Sequence, residues 1–252
     1  MALELRDATV LADGNALIAD VTLVVKPGKL TIILGANGAG KSTALAVLSG
    51  DMRPARGRAM LDGVPLADIP LLRLAERRAV VLQHSPINFA LRVHEVVALS
   101  RSTFGTVDAA ADAVEEAALR ALDLLPMLDR EYATLSGGER QRVQIARALA
   151  QLGHNARDGL PGYLLMDEPT AHLDLKQQIV ALEAARDFAA NGGAALCILH
   201  DIALARDFSD ELVLMKDGRI AACGEARELL TAELIAEIYR ISGERARQFA
   251  LT

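Results

Sequence analysis

The spacing of apolar and polar residues changes several times along the chain, and each change marks an element. Residues 1–27 alternate, as in "ALIADVTLVV" at 16–25, which predicts an antiparallel β-region. "LTIIL" at 30–34 is continuously apolar and rich in β-branched residues, the mark of a strand covered on both faces. "STALAVLSG" at 42–50 continues as a helix ended by Gly50. "YLLM" at 163–166 and "AALCILHD" at 194–201 read as two further buried strands. "AMLDGVPL" and "LVLMKDGRIAACG" carry Asp-Gly turn signals, and the second reads as a hairpin. Residues 86–150 are richer in helical pattern, notably "VDAAADAVEEAALRALDLL" at 107–125. The tail, 225–252, predicts two short helices, "ARELL" and "AELIAEIYRI", whose apolar spacing suits packing inward. Strands interleaved with helices make this an α/β protein.

Composition narrows this little. The 252 residues are 52% hydrophobic and 24% charged, with no tryptophan, as in an ordinary soluble protein long enough to bury a core. A net charge of −6 argues against a nucleic-acid partner. No apolar run reaches the 18 or so residues of a membrane span, and "MALELRDATV" lacks the pattern of a signal peptide, so a cytoplasmic location is expected. Cys197 and Cys223 make no metal-ligand cluster and read as two reduced thiols.

The chemistry begins after the strand at 30–34. Gly35, Gly40, Lys41 and Ser42 satisfy G-x-x-x-x-G-K-[ST], and the loop runs Gly35, Ala36, Asn37, Gly38, Ala39, Gly40, Lys41, Ser42, Thr43. Small residues let successive backbone N–H groups wrap a phosphate, and the helix N-terminus adds its positive end. Lys41 would reach the β- and γ-phosphates of ATP, and the Ser42 hydroxyl would bind Mg²⁺. The strand at 163–166 delivers Asp167 and Glu168 to its C-terminal end, and Pro169 breaks it there. Asp167 suits a Mg²⁺-associated carboxylate, and Glu168 suits the group that orients and polarises the attacking water. His200 ends a third apolar strand, where a γ-phosphate contact is the better reading. Gln83, after "AVVL", could reach Mg²⁺ or the attacking water. Ser136 and Glu139 in "LSGGER" form an S-x-x-E capping pattern, so a helix starts there and presents its first amides outward.

Together these segments resemble the nucleotide-binding subunits of ABC transporters over essentially the whole chain. The motifs stand in that family's order: "GANGAGKST" (Walker A), Gln83 (Q-loop), "LSGGERQ" (signature), "YLLMDE" (Walker B), "AHLD" with Asp174 (D-loop) and His200 (H-loop). The resemblance implies an ABC-type P-loop NTPase: a RecA-like core with a parallel sheet, an antiparallel β-subdomain and an inserted helical subdomain. It implies one domain over 1–252, with the core and β-subdomain at 1–85 and 160–224. The helical subdomain then spans 86–159, and short C-terminal helices 225–252.

It also implies a homodimer in which Ser136, Gly137, Gly138 and Glu139 of one chain cap the ATP held by the other. One departure concerns adenine. Many members stack an aromatic residue on the base upstream of Walker A, and here that position falls near Leu11 or Ala12. His172 stands in "AHLD" where serine is common.

Short and carrying one ATPase unit, the chain looks like the ATPase of a bacterial importer. "RRAVVLQHSPINFALRVHEVVALSR" resembles the group serving iron-siderophore, haem and cobalamin permeases. The polar segment "GHNARDGLPG" before Walker B resembles haem importers in particular. The implied setting is the cytoplasmic face of the inner membrane, on two permease subunits, with a periplasmic haem-binding protein as an indirect partner. No direct haem contact is expected, and His84, His94 and His154 read as solvent or loop histidines. Ferric-siderophore or cobalamin import is the alternative, and a soluble ABC scaffold for iron–sulfur assembly is the rival of a different class.

Overall fold

The computed structural model describes residues 1–83, 90–103, 109–154 and 159–250. In chain order the elements are β1 (Leu3–Ala12), β2 (Asn15–Val25), β3 (Leu30–Gly35), α1 (Lys41–Leu48), β4 (Arg56–Leu61), β5 (Val64–Pro65) and α2 (Leu71–Arg77). Then come β6 (Arg78–Val81), α3 (Val93–Ala98), α4 (Ala109–Ala121), α5 (Gly137–Gly153), β7 (Tyr163–Asp167), α6 (Leu175–Ala190) and β8 (Ala194–Ile198). The chain ends with α7 (Ile202–Phe208), β9 (Glu211–Lys216), β10 (Arg219–Gly224), α8 (Ala226–Leu229), α9 (Ala232–Tyr239) and α10 (Gly243–Ala246).

Two sheets form. One is antiparallel, in the order β2-β1-β4-β5; the other runs β10-β9-β3-β8-β7-β6 and is parallel except for the edge strand β10. The continuous apolar run of β3 has its cause here, because every residue from Leu30 to Gly35 is buried. Its two faces serve different cores. Leu30, Ile32 and Leu34 pack with Ile145, Leu182 and Leu204 of α5, α6 and α7. Ile33 faces the other way, with Leu45 and Leu48 of α1 and the inner face of the antiparallel sheet. β7 and β8 split likewise: Leu164, Met166, Ala195 and Cys197 go to the first core, and Tyr163, Leu165, Leu196 and Ile198 to the second. β10, by contrast, has no fully buried residue, as an edge strand allows.

The tail packs inward, with Ala226, Leu230, Ile235, Ile238 and Ala246 buried in the first core. It holds three helices rather than the two predicted, because the Ser242 hydroxyl accepts from the Arg245 amide and starts α10 after the left-handed break at Arg240. The two Asp-Gly turns predicted have left-handed φ at each residue, Asp62 at 52° and Gly63 at 83°, Asp217 at 48° and Gly218 at 75°, as type I′ hairpins require, and Asp13 (49°) and Gly14 (80°) between β1 and β2 do the same.

Gly57 separates backbone strain from close packing. Its φ is +72°, and an added Cβ would run into the carbonyl oxygens of Arg6 and Asp7, where the β1–β4 register shifts. Gly63 has a similar φ of +83° but open space around it. Gly63→Ala should therefore cost only the backbone strain, about 1 kcal/mol, or ~2–4 °C in Tm for a chain of this length. Gly57→Ala adds a clash that only main-chain movement relieves, and should lower Tm by at least twice as much. Equal Tm values for the two variants in thermal melts would show that β1 and β4 are not held this closely.

Candidate active site

Four loops at the C-terminal ends of parallel strands build the site, as expected where ligands meet an open α/β sheet. The first leaves β3 at Gly35 and enters α1 at Lys41. Gly38 (φ 78°) and Gly40 (φ 94°) are left-handed, and Gly40 has no room for a side chain. A Cβ there would lie 2.7 Å from Ile18 Cγ2 and 2.8 Å from the Leu17 carbonyl oxygen. A Cβ on Gly35 would collide with the Met215 carbonyl. Two glycines of the motif are thus fixed by the approach of β2 and β9. Lys41 is buried and donates from Nζ to the carbonyls of Gly35 (2.8 Å) and Ala36 (3.0 Å). Burial pushes its ammonium below the ordinary lysine value, opposed by the charges of Glu168 and Asp167.

β7 brings the two carboxylates. Ser42 Oγ donates to Asp167 Oδ1 at 3.3 Å, which sets the hydroxyl and the acid side by side across 125 residues of sequence. Burial pushes the Asp167 carboxyl upward and Glu168 adds to this, against the Ser42 hydrogen bond and the charges of Lys41 and His200. Glu168 has φ 51°, an unfavourable backbone for glutamate and a form of strain that collects at functional sites. Both its oxygens are engaged. Gln83 Nε2 donates to Oε2 at 2.8 Å, and His200 Nε2 lies 2.6 Å from Oε1. Residues predicted separately from the ends of β6, β7 and β8 therefore meet at one carboxylate.

The cleft above these groups has a volume of about 700 Å³ and is lined by Asn37 to Thr43, Glu168, His200, Ala16, Leu17, Asp217 and Gly218. The last four were not predicted. Ala16 and Leu17 of β2 reach the cleft, whereas Leu11 and Ala12, the expected adenine neighbours, do not line it. The sequence did show a turn at Asp217–Gly218; no local signal shows that it lies against the phosphate loop.

The signature lies elsewhere. Ser136 caps α5: its Oγ accepts from the Glu139 amide at 3.2 Å, and Glu139 Oε2 accepts from the Ser136 amide at 2.7 Å. The Ser136 amide and then Arg130, at 2.8 Å, hold the Glu139 carboxyl below the usual range. None of Ser136, Gly137, Gly138 and Glu139 lines this chain's own cleft. Gly137 and Gly138 lie instead against the D-loop, where a Cβ on Gly138 would lie 3.0 Å from the His172 carbonyl oxygen. Asp174 caps α6 by accepting from the Gln177 amide at 2.9 Å.

Of the three histidines read as solvent or loop residues, His94 is half-exposed and His84 lies outside the described residues. His154 differs from that reading. It closes α5 with a side chain only 2% exposed, 3.1 Å from Ser100 Oγ and 3.6 Å from Glu115. An imidazole buried in a polar network of its own is part of the packing of α4 against α5.

A left-handed glycine loop at a helix N-terminus, a buried lysine, and a hydroxyl paired with a carboxylate can together hold a polyphosphate and a hard divalent cation. A carboxylate clamped between an amide and an imidazole can orient a water. The ABC transporter family matches residues 18–171. The hemin import ATP-binding protein HmuV of Agrobacterium fabrum is 44% identical over 238 residues, covering 93% of this chain and 90% of that protein. Among solved structures, an ATP-binding subunit of an ABC transporter superposes with a TM-score of 0.78 at 26% identity, covering 98% of both chains. A metal-chelate type ABC transporter in an inward-facing conformation gives 0.76 at 27% identity, over 94% of this chain and 88% of that one. The chain belongs to the ABC transporter family, as an ATP-binding subunit whose ATPase activity is coupled to transport.

Proposed function

We propose that this subunit is the motor of a bacterial importer of haem. The observation that carries the motor reading is Glu168, held by Gln83 and His200 beside the phosphate loop. Support for haem comes from the 44% identity to a hemin import protein over nearly the whole of both chains.

In this reading the amides of Gly35 to Thr43 wrap the phosphates of ATP. Lys41 exchanges its contacts with the Gly35 and Ala36 carbonyls for phosphate oxygens, which a charge-assisted bond favours. The paired oxygens of Ser42 and Asp167 suit Mg²⁺, which takes one or two protein oxygens beside those of the phosphates, and Gln83 is a further candidate ligand. Mg²⁺ supplies neutralisation of phosphate charge when bound. Glu168 orients and polarises the attacking water, and its two hydrogen-bonding neighbours fix the carboxylate so that little reorganisation remains. Lys41 and His200 then stabilise charge developing on the γ-phosphate.

The second half of each site comes from another copy. Ser136, Gly137 and Gly138, at the N-terminus of a 17-residue helix, do not line their own cleft, and each chain has one signature and one phosphate loop. Two chains closing head-to-tail give two complete sites, and ATP favours the closed dimer because it binds that state more tightly. Among the described residues no helix is long and apolar enough to cross a membrane, which fits a subunit held at the cytoplasmic face by two permease subunits. A periplasmic haem-binding protein would deliver the cargo, so this chain needs no haem contact. The likeness to a metal-chelate type transporter favours ferric-siderophore import as the second reading.

Three outcomes test these assignments. Glu168→Gln should bind ATP and dimerise while hydrolysis falls about 100-fold or more, the usual weight of a positioned general base; turnover at the wild-type rate would remove Glu168 from that role. Lys41→Ala and Ser136→Arg chains should each be inactive alone, and a mixture should regain ATPase activity because one complete composite site forms in the mixed dimer. A mixture as inactive as its parts would speak against shared sites. Finally, a strain lacking this gene should lose uptake of haem and keep that of ferric siderophore and cobalamin. Wild type should restore uptake and Glu168→Gln should not; loss of siderophore uptake instead would leave the motor and move the cargo.

A further inference from the structure

The cleft is chemically divided. Phosphate-binding groups line one part, from Asn37 to Thr43 with Glu168 and His200. The remainder is Ala16, Leu17, Asp217 and Gly218. No aromatic side chain is among the lining residues, so a nucleobase meets only the 39%-exposed Leu17 and the small Ala16 as apolar surface. The one polar side chain in this part is Asp217.

Asp217 is firmly placed. It occupies the first left-handed position of the β9–β10 turn, and the next residue is bonded to both neighbours of the cleft. Gly218 N–H donates to the Ala39 carbonyl of the phosphate loop (3.1 Å), and its carbonyl accepts from the Ala19 amide of β2 (2.8 Å). The turn is also tied to the C-terminal helices. Arg240, which caps α9, donates from its guanidinium to Asp217 Oδ1 at 2.7 Å, and Glu237 accepts from Lys216 at 3.0 Å.

A bare carboxylate in a cleft for a polyphosphate would repel its ligand. Paired with Arg240, the carboxylate carries a compensated charge yet keeps acceptor positions, since a carboxylate offers about four. Phosphate oxygens at neutral pH have almost no protons to donate to it. The donors a nucleotide does carry are at its other end, the ribose hydroxyls and the exocyclic amine of adenine. A carboxylate that accepts from ribose hydroxyls is an established way of gripping a nucleoside.

We propose that Asp217 is the residue that contacts the nucleoside end of the nucleotide and sets selectivity there, with Arg240 of the C-terminal helices as its positioning residue. This rests on the reading of the cleft as the ATP site. It gives the tail a share in nucleotide recognition and supplies the contact that the missing aromatic residue leaves open. Both partners are well exposed, 63% and 70%, so their pairing adds little to fold stability and its loss is read in binding.

The test is titration calorimetry on the purified full chain with ATP, ADP and inorganic tripolyphosphate, with thermal melts as a control for folding. Asp217→Ala should raise the Kd of ATP and ADP about tenfold, the weight of one hydrogen bond to a charged group at a partly wet rim, while tripolyphosphate binds no more weakly than before, because the freed Arg240 guanidinium attracts it. Arg240→Met leaves the carboxylate uncompensated and should weaken tripolyphosphate as well, less so at high salt; tripolyphosphate binding as in wild type would remove Arg240 from its role. Two analogues locate the donor. If the Asp217→Ala penalty vanishes with 2′,3′-dideoxy-ATP the donor is a ribose hydroxyl, and if it vanishes with purine riboside triphosphate it is the amine. A penalty that persists with both analogues overturns the proposal, as does unchanged ATP and ADP binding, or an equal loss for tripolyphosphate. A wild-type chain that binds neither ATP nor tripolyphosphate overturns the reading of the cleft and the proposal with it.

Discussion

Burial of β3 on both faces is the constraint from which the rest of the molecule follows. A strand covered on both sides cannot slip by one residue without sending Ile33 into the wrong core, so its register is fixed tightly. The loop that leaves it inherits that precision. Its glycines sit against the Met215 carbonyl on one side and against Ile18 and the Leu17 carbonyl on the other. The phosphate loop is therefore clamped between the antiparallel sheet and the edge hairpin, which suits a loop whose amides must be aimed before a ligand arrives.

The parallel sheet then gathers polar side chains beside that loop. Gln83, Glu168 and His200 come from the ends of three strands and meet at one carboxylate. Glu168 keeps an unfavourable backbone to be there, with its carbonyl accepting from the Ala171 amide as the D-loop begins. The same loop runs on to the signature, where His172 and Leu173 pack against Gly138. A continuous run of backbone thus links the carboxylate at this chain's cleft to the face that would close another's. The tail extends the scheme on the opposite side, binding the edge hairpin through Arg240 and Glu237.

Elements set by near neighbours were legible in the sequence. A strand covered on both sides must be apolar throughout, a left-handed turn takes Asp-Gly, and a helix start takes S-x-x-E, so β3, β7, β8, the two Asp-Gly turns, the β9–β10 hairpin and the start of α5 were readable from short windows. Gln83, Glu168 and His200 were singled out on the same terms, and the fold brings them together. The extra helix of the tail was less so: it depends on a single serine cap over four residues, too little for a periodic signal.

What only the tertiary structure decided is which distant backbones touch. Leu17 and Asp217 are 200 residues apart, and they line one cleft because β2, through the Ala19 amide, and the phosphate loop, through the Ala39 carbonyl, both bond to Gly218 of the β9–β10 turn. Nothing near either residue encodes the other. His154 likewise reads as a loop histidine until α4 is laid against α5 and Glu115 and Ser100 close over it. Periodicity and capping are interactions over a few residues, so the sequence states them directly. Approach between sheets is settled by the packing of two whole cores, and no short stretch of chain contains it.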